Sequence, residues 1–234
     1  MKNVIIFGTG EYAELAHYYF ENDPLCNFNV IGFVADDDFV ESDSSLFRNL
    51  PLVKLSKVLD VFPPNKVSAH VALSYSKLNI IREEKYDLMK SLGYELVSYI
   101  CSKDTCTWPD LTIGDNCFIL EKNNIQPTVK IGNNVMIWSS NHLGHNSTIK
   151  DHCYLASGIT VSGHVVLGKR SFVGVNSAFK DFLNIGSDCF ITMGANVTRD
   201  IPTNSTVTST EIFEEDHIVN KKLKKKYFGI EYVE

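Results

Sequence analysis

The middle of the chain repeats large apolar residues at intervals of six. Fifteen consecutive positions at this spacing, from Ile113 to Val197, are apolar without interruption. An α-helix would repeat its apolar positions every ~3.6 residues and a half-buried strand every two, so neither explains the interval. A six-residue repeat is typical of a β-helix, in which each hexad forms a short strand and a turn around a shared core. The apolar positions are Ile113, Ile119, Ile125, Ile131, Ile137, Leu143, Ile149, Leu155, Val161, Leu167, Val173, Phe179, Ile185, Ile191 and Val197.

The N-terminal part has a different pattern, in which short apolar runs alternate with segments of helical spacing. The run from Val4 to Phe7 ends in Gly8-Thr9-Gly10 and leads into an amphipathic segment, which predicts a strand, a glycine turn and a helix. Such a turn directs backbone N–H groups at whatever lies above it and suits a phosphate. Further elements are expected as strands at Val30–Val34, Val67–Leu73 and Glu95–Ile100 and a helix at Leu78–Leu92. Strands that alternate with helices indicate a small parallel α/β sheet.

Two breaks divide the chain. A polar stretch with Trp108-Pro109 follows Ile100 and places a domain change near residue 102, and the repeat ends before Pro202. We therefore expect an α/β domain at 1–102, a β-helix at 103–202 and a C-terminal tail at 203–234. The basic run of the tail is interpreted as a solvated helix face, with contact to a ligand phosphate as the alternative. Its residues are Lys221, Lys222, Lys224, Lys225 and Lys226.

The composition narrows the class of protein. The chain has 234 residues and a formal net charge of −6, which argues against a general nucleic-acid binder. No apolar run approaches the length of a membrane span, and the first run ends at Gly8, too early for a signal peptide, so a cytoplasmic protein is expected. The cysteines lack metal-ligand spacing and are expected to be reduced. They are Cys26, Cys101, Cys106, Cys117, Cys153 and Cys189.

Four histidines follow one another in the repeat region, at His142, His145, His152 and His164. His142 and His145 flank the core residue Leu143, so their side chains are expected on the surface. An imidazole titrates near neutral pH and can take a proton from a nucleophile, which makes these residues candidates for a general base. A zinc site is the alternative, but the spacing does not favour convergent ligands, and no metal is expected.

The repeat resembles that of the hexapeptide-repeat acyltransferases, which implies a left-handed parallel β-helix with three hexads per coil and about five coils. Its combination with an N-terminal α/β domain resembles the sugar-nucleotide acetyltransferases of the PglD/NeuD type. In that family a Rossmann-like domain holds the nucleotide of the acceptor sugar. The resemblance implies a nucleotide pocket at Gly8, Gly10, Asp36, Asp37 and Ser74. The chain departs from the family at Glu11-Tyr12, where a Gly-His pair is common.

The same resemblance assigns catalytic and cofactor residues in the β-helix. It gives His145 as the general base, with Asn146 in the place of the family's acidic partner and His142 as a rival base. The residues that it implies for acetyl-CoA contact are Tyr154, Gly163, Val175 and Gly194. Family members assemble as homotrimers with active sites between subunits, and the same assembly is expected here.

We therefore expect an acetyl-CoA-dependent N-acetyltransferase that acts on an amino sugar linked to UDP or dTDP, in surface-glycan biosynthesis. An O-acetyltransferase of sialic acid or a related sugar would use the same residues. A zinc-dependent hydratase would use the histidines as ligands, and a non-catalytic sugar-nucleotide-binding or scaffold protein would not depend on His145. The sequence does not specify the sugar, the nucleotide base or the choice between amine and hydroxyl.

Overall fold

A computed structural model describes residues 1–105, 107–209 and 211–232, so Cys106 lies outside the described residues. The N-terminal part alternates strands and helices, as the apolar pattern predicts. Two short 3-10 turns, Asp37–Phe39 and Leu55–Lys57, join some of them. The elements are β1 (Lys2–Phe7), α1 (Glu11–Asn22), β2 (Phe28–Ala35), β3 (Leu46–Phe47), β4 (Leu50–Lys54), α2 (Val58–Val61), β5 (Ser68–Val71) and α3 (Ile80–Ser91).

These strands form one sheet in the order β3-β4-β2-β1-β5. β4, β2, β1 and β5 are parallel, which confirms the predicted parallel α/β sheet. The antiparallel pair of β3 with β4 was not predicted. Its two-residue turn has positive φ at both Arg48 (48°) and Asn49 (63°), the geometry that matches the twist of a hairpin. Asn49 was the residue that could have indicated this hairpin, because asparagine adopts positive φ more readily than most residues.

The run predicted as a fourth strand, Glu95–Ile100, is shared between the two halves of the chain. Leu96 forms an isolated parallel bridge to Ala69 in β5. β6 (Tyr99–Ile100) instead pairs with the first full coil of the β-helix, at Phe118–Ile119. Hydrogen bonding therefore continues across the predicted domain change, and the boundary near residue 102 stays a prediction.

The repeat region forms fifteen two-residue strands, β7 to β21, with the apolar hexad residue second in each strand. Strands three hexads apart pair in parallel, so the coils stack into a prism with three faces. We name each face after one residue. The Thr148 face has Thr112–Ile113, Lys130–Ile131, Thr148–Ile149, Val166–Leu167 and Asn184–Ile185; the His142 face has Asn124–Ile125, His142–Leu143, Thr160–Val161, Ala178–Phe179 and Asn196–Val197; the Tyr154 face has Phe118–Ile119, Met136–Ile137, Tyr154–Leu155, Phe172–Val173 and Phe190–Ile191.

Four-residue turns join the faces and form three edges of the prism. In each turn one residue has left-handed backbone, for example Asn146 with φ of 58° and His164 with φ of 59°. Turns 126–129, 144–147, 162–165 and 180–183 stack between the His142 and Thr148 faces and are called the His145 edge. The Val175 edge, between the Tyr154 and His142 faces, stacks turns 120–123, 138–141, 156–159, 174–177 and 192–195.

The N-terminal domain packs on the Tyr154 face. Tyr19 of α1 contacts Phe118 at 5.8 Å between ring centroids. The buried guanidinium of Arg82 in α3 donates to the carbonyl oxygens of Asn134 (2.5 Å) and His152 (3.0 Å) at the third edge. Apolar and hydrogen-bonded contacts thus fix the domain against the coils.

The C-terminal tail is folded. β22 (Thr206–Thr208) extends the Tyr154 face, β23 (Glu211–Phe213) pairs with it, and α4 (Ile218–Phe228) packs over that face. The expected solvated helix face does not include Lys224, which is fully buried and donates from Nζ to the carbonyl oxygen of Asp188 at 2.8 Å. Burial lowers the pKa of Lys224 to about 8.

Three sequence expectations concern membrane spans, metal sites and the state of the cysteines. Across residues 1–105, 107–209 and 211–232, no helix is long and apolar enough to cross a membrane. In the same residues no group of three or more histidine, cysteine or acidic side chains could hold a metal ion. The five described cysteines are free.

Candidate functional site

His145 lies in the second turn of the His145 edge, where its side chain is exposed. The turn runs from Gly144 to Ser147, between the strands His142–Leu143 and Thr148–Ile149. Because strands three hexads apart are in register, turn residues 18 positions apart lie above one another. His145 is therefore placed by a rigid stack of coils and contacts residues of the coil before it and the coil after it.

In the preceding coil, His145 contacts Gln126. The side-chain oxygen Oε1 of Gln126 lies 2.9 Å from the backbone nitrogen of His145 and 3.1 Å from its ring atom Nδ1. The sequence analysis did not single out Gln126. In the structure the hydrogen bond to the His145 ring comes from this glutamine, whereas the resemblance implies Asn146 as the partner of the base.

In the following coil, the His145 ring lies against Gly163. A Cβ atom added to Gly163 would stand 2.8 Å from Cε1 and 3.0 Å from Nε2 of the imidazole, closer than van der Waals contact allows. The backbone of Gly163 is outside the left-handed region, so close approach and not backbone conformation calls for glycine here. Gly163, expected as an acetyl-CoA contact, thus makes room for the His145 ring.

Asn146 belongs to a second set of contacts on the same edge. Its backbone N–H donates to Oγ1 of Thr128 at 2.9 Å, and the Thr128 hydroxyl donates to the Asn146 amide oxygen at 2.6 Å. Its amide nitrogen lies 3.3 Å from Nε2 of His164. His164 meets the His145 ring edge-on at 5.2 Å between centroids and stacks on Phe182 at 4.6 Å. The edge therefore presents two neighbouring imidazoles and an exposed aromatic ring.

The other two histidines lie elsewhere. His142 is half-buried on the His142 face, in register with Asn124 and Thr160 of the neighbouring coils. His152 is buried beside Asn134, whose Nδ2 lies 2.8 Å from its Nδ1. Burial lowers the pKa of His152 to about 4, against the nearby charge of Glu83, which raises it. A buried neutral ring with a hydrogen-bonded nitrogen serves the packing of this edge.

Tyr154 is buried between the domains. Its hydroxyl lies 2.7 Å from the hydroxyl of Tyr12 in the first turn of α1, and its ring stacks on Phe172 at 4.9 Å. Burial raises the pKa of both phenols. Tyr12 follows the glycine turn by two residues, so this pair joins the N-terminal domain to the β-helix next to the predicted phosphate site.

An apolar cavity of about 240 Å³ opens at the Val175 edge, between the β-helix, the loop after β5 and α4. It includes Val175, and Gly194 lies in the adjacent turn with open space around its Cα. Gly163 is on the other edge of the His142 face. The residues expected to contact acetyl-CoA are therefore spread over two edges and the buried Tyr154 face. The cavity is lined by Tyr75, Ala156, Phe172, Gly174, Val175, Phe190, Thr192, Met193, Tyr227 and Phe228.

The residues expected to hold a nucleotide all follow parallel strands at the same end of the sheet. Gly8 has a φ of 133°, and a Cβ there would meet the carbonyl oxygen of Ala72 at 2.8 Å. Gly10 is the N-cap residue of α1 and has no side chain to cap it, so the first backbone N–H groups of the helix are open to an anion. Ser74 follows β5. Ligands of open α/β sheets bind at this end.

The two aspartates after β2 already have protein partners. Oδ1 of Asp36 accepts a hydrogen bond from Nζ of Lys85 at 2.5 Å. Asp37 accepts from the backbone and the hydroxyl of Ser56, and these bonds lower the pKa of its carboxyl. Lys85 and Ser56 were not predicted, because they come from α3 and the turn after β4, distant in sequence.

Comparison with known proteins agrees with this architecture. Residues 128–163 match the family model of the bacterial transferase hexapeptide (six repeats). The matched residues lie within the hexad repeat that begins at Ile113. The comparison with curated proteins gives no match.

Solved structures share the two-part fold over 88% of this chain. The perosamine N-acetyltransferase of Caulobacter crescentus, a histidine-to-asparagine variant in complex with CoA and GDP-perosamine, is similar with a TM-score of 0.76 and 21% identity, over 88% of this chain and 93% of that one. The acetyltransferase domain of PglB from Neisseria gonorrhoeae FA1090 has a TM-score of 0.74 and 19% identity, over 88% and 96%. WeeI from Acinetobacter baumannii AYE has a TM-score of 0.65 and 16% identity, over the same shares. At these identities the likeness is one of fold, and it confirms the Rossmann-like domain followed by a left-handed β-helix.

Proposed function

We propose that the protein is an acetyl-CoA-dependent N-acetyltransferase of a nucleotide-linked amino sugar, with His145 as general base. The observation that carries the proposal is the exposed His145 ring, which Gln126 and Gly163 of the adjacent coils hold in place. The similar Caulobacter N-acetyltransferase, crystallised with CoA and GDP-perosamine, supports the proposed substrate class. The cytoplasm is the proposed location.

The geometry suggests where each substrate would bind. The nucleotide would lie at the end of the sheet, over Gly8, Gly10 and Ser74, with its phosphates at the start of α1. The apolar cavity beside Val175 suits the neutral, extended pantetheine arm of CoA, which backbone groups and apolar side chains can hold. Gly194 adjoins this cavity, and Tyr154 stacks on Phe172 in its wall.

The site also calls for a second chain. The His145 edge and the Val175 edge border the same face from opposite sides, so one chain does not bring the base and the cavity together. A homotrimer in which the His145 edge of one chain faces the Val175 edge of its neighbour would complete the site. Cyclic assembly of this kind is common and lets two chains contribute residues.

In the proposed reaction, the amine of the sugar attacks the thioester carbonyl of acetyl-CoA. A C–N bond forms, the C–S bond breaks, and the amine proton passes to Nε2 of His145. The protonated ring can then return the proton to the departing CoA thiolate. Positioning of two substrates and one proton transfer supply the catalysis, and neither requires a metal ligand set.

A substrate screen tests the proposal. GDP-, UDP- and dTDP-linked amino sugars are incubated with acetyl-CoA, and free thiol is followed with a chromogenic disulfide. We expect turnover with at least one amino sugar and its loss, by about 100-fold or more, in His145→Ala. Turnover that survives His145→Ala but not His142→Ala would assign the base to His142. Thiol release with the corresponding hydroxy sugars, tested alongside, but with none of the amino sugars would refute the proposed N-acetylation.

A further inference from the structure

The contact between Gln126 and His145 determines which ring nitrogen carries the proton. The backbone N–H of His145 can only donate, and it points at the terminal amide of Gln126 at 2.9 Å. The accepting atom must therefore be the amide oxygen, which fixes the orientation of a group whose oxygen and nitrogen are otherwise hard to distinguish. The same oxygen lies 3.1 Å from Nδ1 of the ring.

An amide oxygen has no proton to give, so Nδ1 must be the donor in this hydrogen bond. A neutral imidazole carries one ring proton, and that proton is then on Nδ1. Nε2 retains its lone pair, and among the described residues it has no hydrogen-bond partner. This is the tautomer that a general base needs at Nε2.

We propose that Gln126 is a positioning residue for catalysis, which selects the Nδ1–H tautomer of His145 and aims the ring. The inference rests on the proposed function. Gln126 acts through a neutral acceptor, whereas the acidic partner of a typical catalytic histidine also stabilises the protonated ring. In this chain the partner therefore orients the imidazole but does not stabilise its protonated form with a negative charge.

Few charged or titratable side chains surround the His145 ring, so the influence of residue 126 on the ring can be measured. Turns 126–129 and 144–147 contain no titratable side chain other than His145 itself. Turn 162–165 contributes His164, which faces the ring at 5.2 Å between centroids. Among the described residues no carboxylate forms an ion pair with His145, so a carboxylate placed at 126 would be a new charge beside the ring.

Nitrogen NMR of histidine-labelled protein tests the tautomer without any substrate. In the natural protein we expect the His145 ring to show a protonated Nδ1 and an unprotonated Nε2 at pH 8, assigned by comparison with His145→Gln. In Gln126→Met, which removes the acceptor at similar size, we expect both tautomers. Thr128→Val is the matched control: it removes the equivalent acceptor of the next backbone N–H, that of Asn146, without contacting the His145 ring. An Nε2–H ring in the natural protein, or an unchanged ring in Gln126→Met, would overturn the proposal.

Kinetics test the catalytic consequence. Gln126→Met should lower kcat about tenfold with little change in KM for acetyl-CoA, because the base is misdirected while the cofactor cavity is untouched. Gln126→Glu restores an acceptor and should recover most of the turnover, with the acid limb of the pH profile shifted upward by about one pH unit. A purely structural role would also be rescued by Glu, which accepts from the backbone N–H of His145, but it would leave the acid limb unshifted, and that result would refute the assignment. If His145→Ala is fully active, the proposed role of His145 as general base fails, while the NMR result still decides the tautomer of the ring.

Discussion

The fit of the His145 ring against Gly163 leads to a quantitative expectation for Gly163→Ala. The added Cβ would stand 2.8 Å from Cε1 of His145, and an ordinary carbon–carbon contact is about 3.5 Å, so the ring must move by about 0.7 Å. A misplacement of about 1 Å can cost about 100-fold in rate. We expect kcat to fall about 10- to 50-fold. The free energy of unfolding should change by less than about 0.5 kcal/mol, because the ring is exposed and free to move.

The matched control is Gly144→Ala, in the turn of His145 itself. Its added Cβ would lie 2.5 Å from the carbonyl carbon of Ser162 and 2.6 Å from the backbone nitrogen of Gly163, and stacked backbone cannot swing aside. This variant should lose about 1–3 kcal/mol of stability. Thiol release with the acceptor found in the screen gives kcat, and urea denaturation gives stability. Undiminished turnover in Gly163→Ala, or destabilisation equal to that of Gly144→Ala, would contradict the packing argument.

Three further predictions concern stability, each measured by urea denaturation. Burial lowers the pKa of Lys224 from 10.5 to about 8, so between pH 8 and 10.5 the unfolded chain binds more protons than the folded one. As the pH rises through that window, the free energy of unfolding of the natural protein should increase by up to about 3 kcal/mol relative to that of Lys224→Met. Burial opposes ionisation of Asp23, but hydrogen bonds from Ser102 and other donors outweigh this effect and lower the pKa of Asp23 to about 2. As the pH falls from 4 to 2, the free energy of unfolding of the natural protein should therefore decrease by about 1–2 kcal/mol relative to that of Asp23→Asn. Tyr12→Phe leaves the buried Tyr154 hydroxyl without this partner and should cost about 1 kcal/mol at neutral pH.

The coil architecture could be predicted from the sequence because one physical requirement recurs at every hexad. Each apolar residue must point into a narrow core that its neighbours above and below complete, so a single lapse would leave a cavity. Ile119 to Val197 are buried at every sixth position, and Ile113 in the first coil is half-buried. The repeat therefore encodes both the strands and their register.

The partner of the candidate base could not be predicted from the neighbouring residue in sequence. Asn146 follows His145 directly, but its left-handed backbone, with φ of 58°, turns its side chain toward Thr128 and His164. Gln126 reaches the ring from one coil earlier. The 18-residue period of a coil, three hexads, was the signal that could have identified it, because residues near that separation lie next to each other on an edge.

The burial of Lys224 in α4 was also missed by the sequence analysis. Reading the lysines as one basic run hides their helical phase. Asn220, Lys224 and Phe228 recur at intervals of four and are all buried on one face of α4. Lys222 and Lys226 lie on the exposed side. Helical spacing would have separated Lys224 from the solvated lysines, although its partners on Asp188 and Asn204 come from the coils and depend on the tertiary fold.

An exposed base on a rigid edge has a physical consequence for the whole proposal. The stacked coils fix the backbone on either side of His145, but they cannot exclude water from a ring that projects into solvent. Acyl transfer to an amine competes with hydrolysis of the thioester, so the site must be covered while both substrates are bound. The N-terminal domain is fixed to the Tyr154 face by Arg82 and the Tyr12–Tyr154 pair and does not reach across the prism to provide that cover. We therefore propose that the neighbouring chain of the proposed trimer supplies the cover, so a monomeric variant should hydrolyse acetyl-CoA faster relative to acyl transfer than the assembled protein.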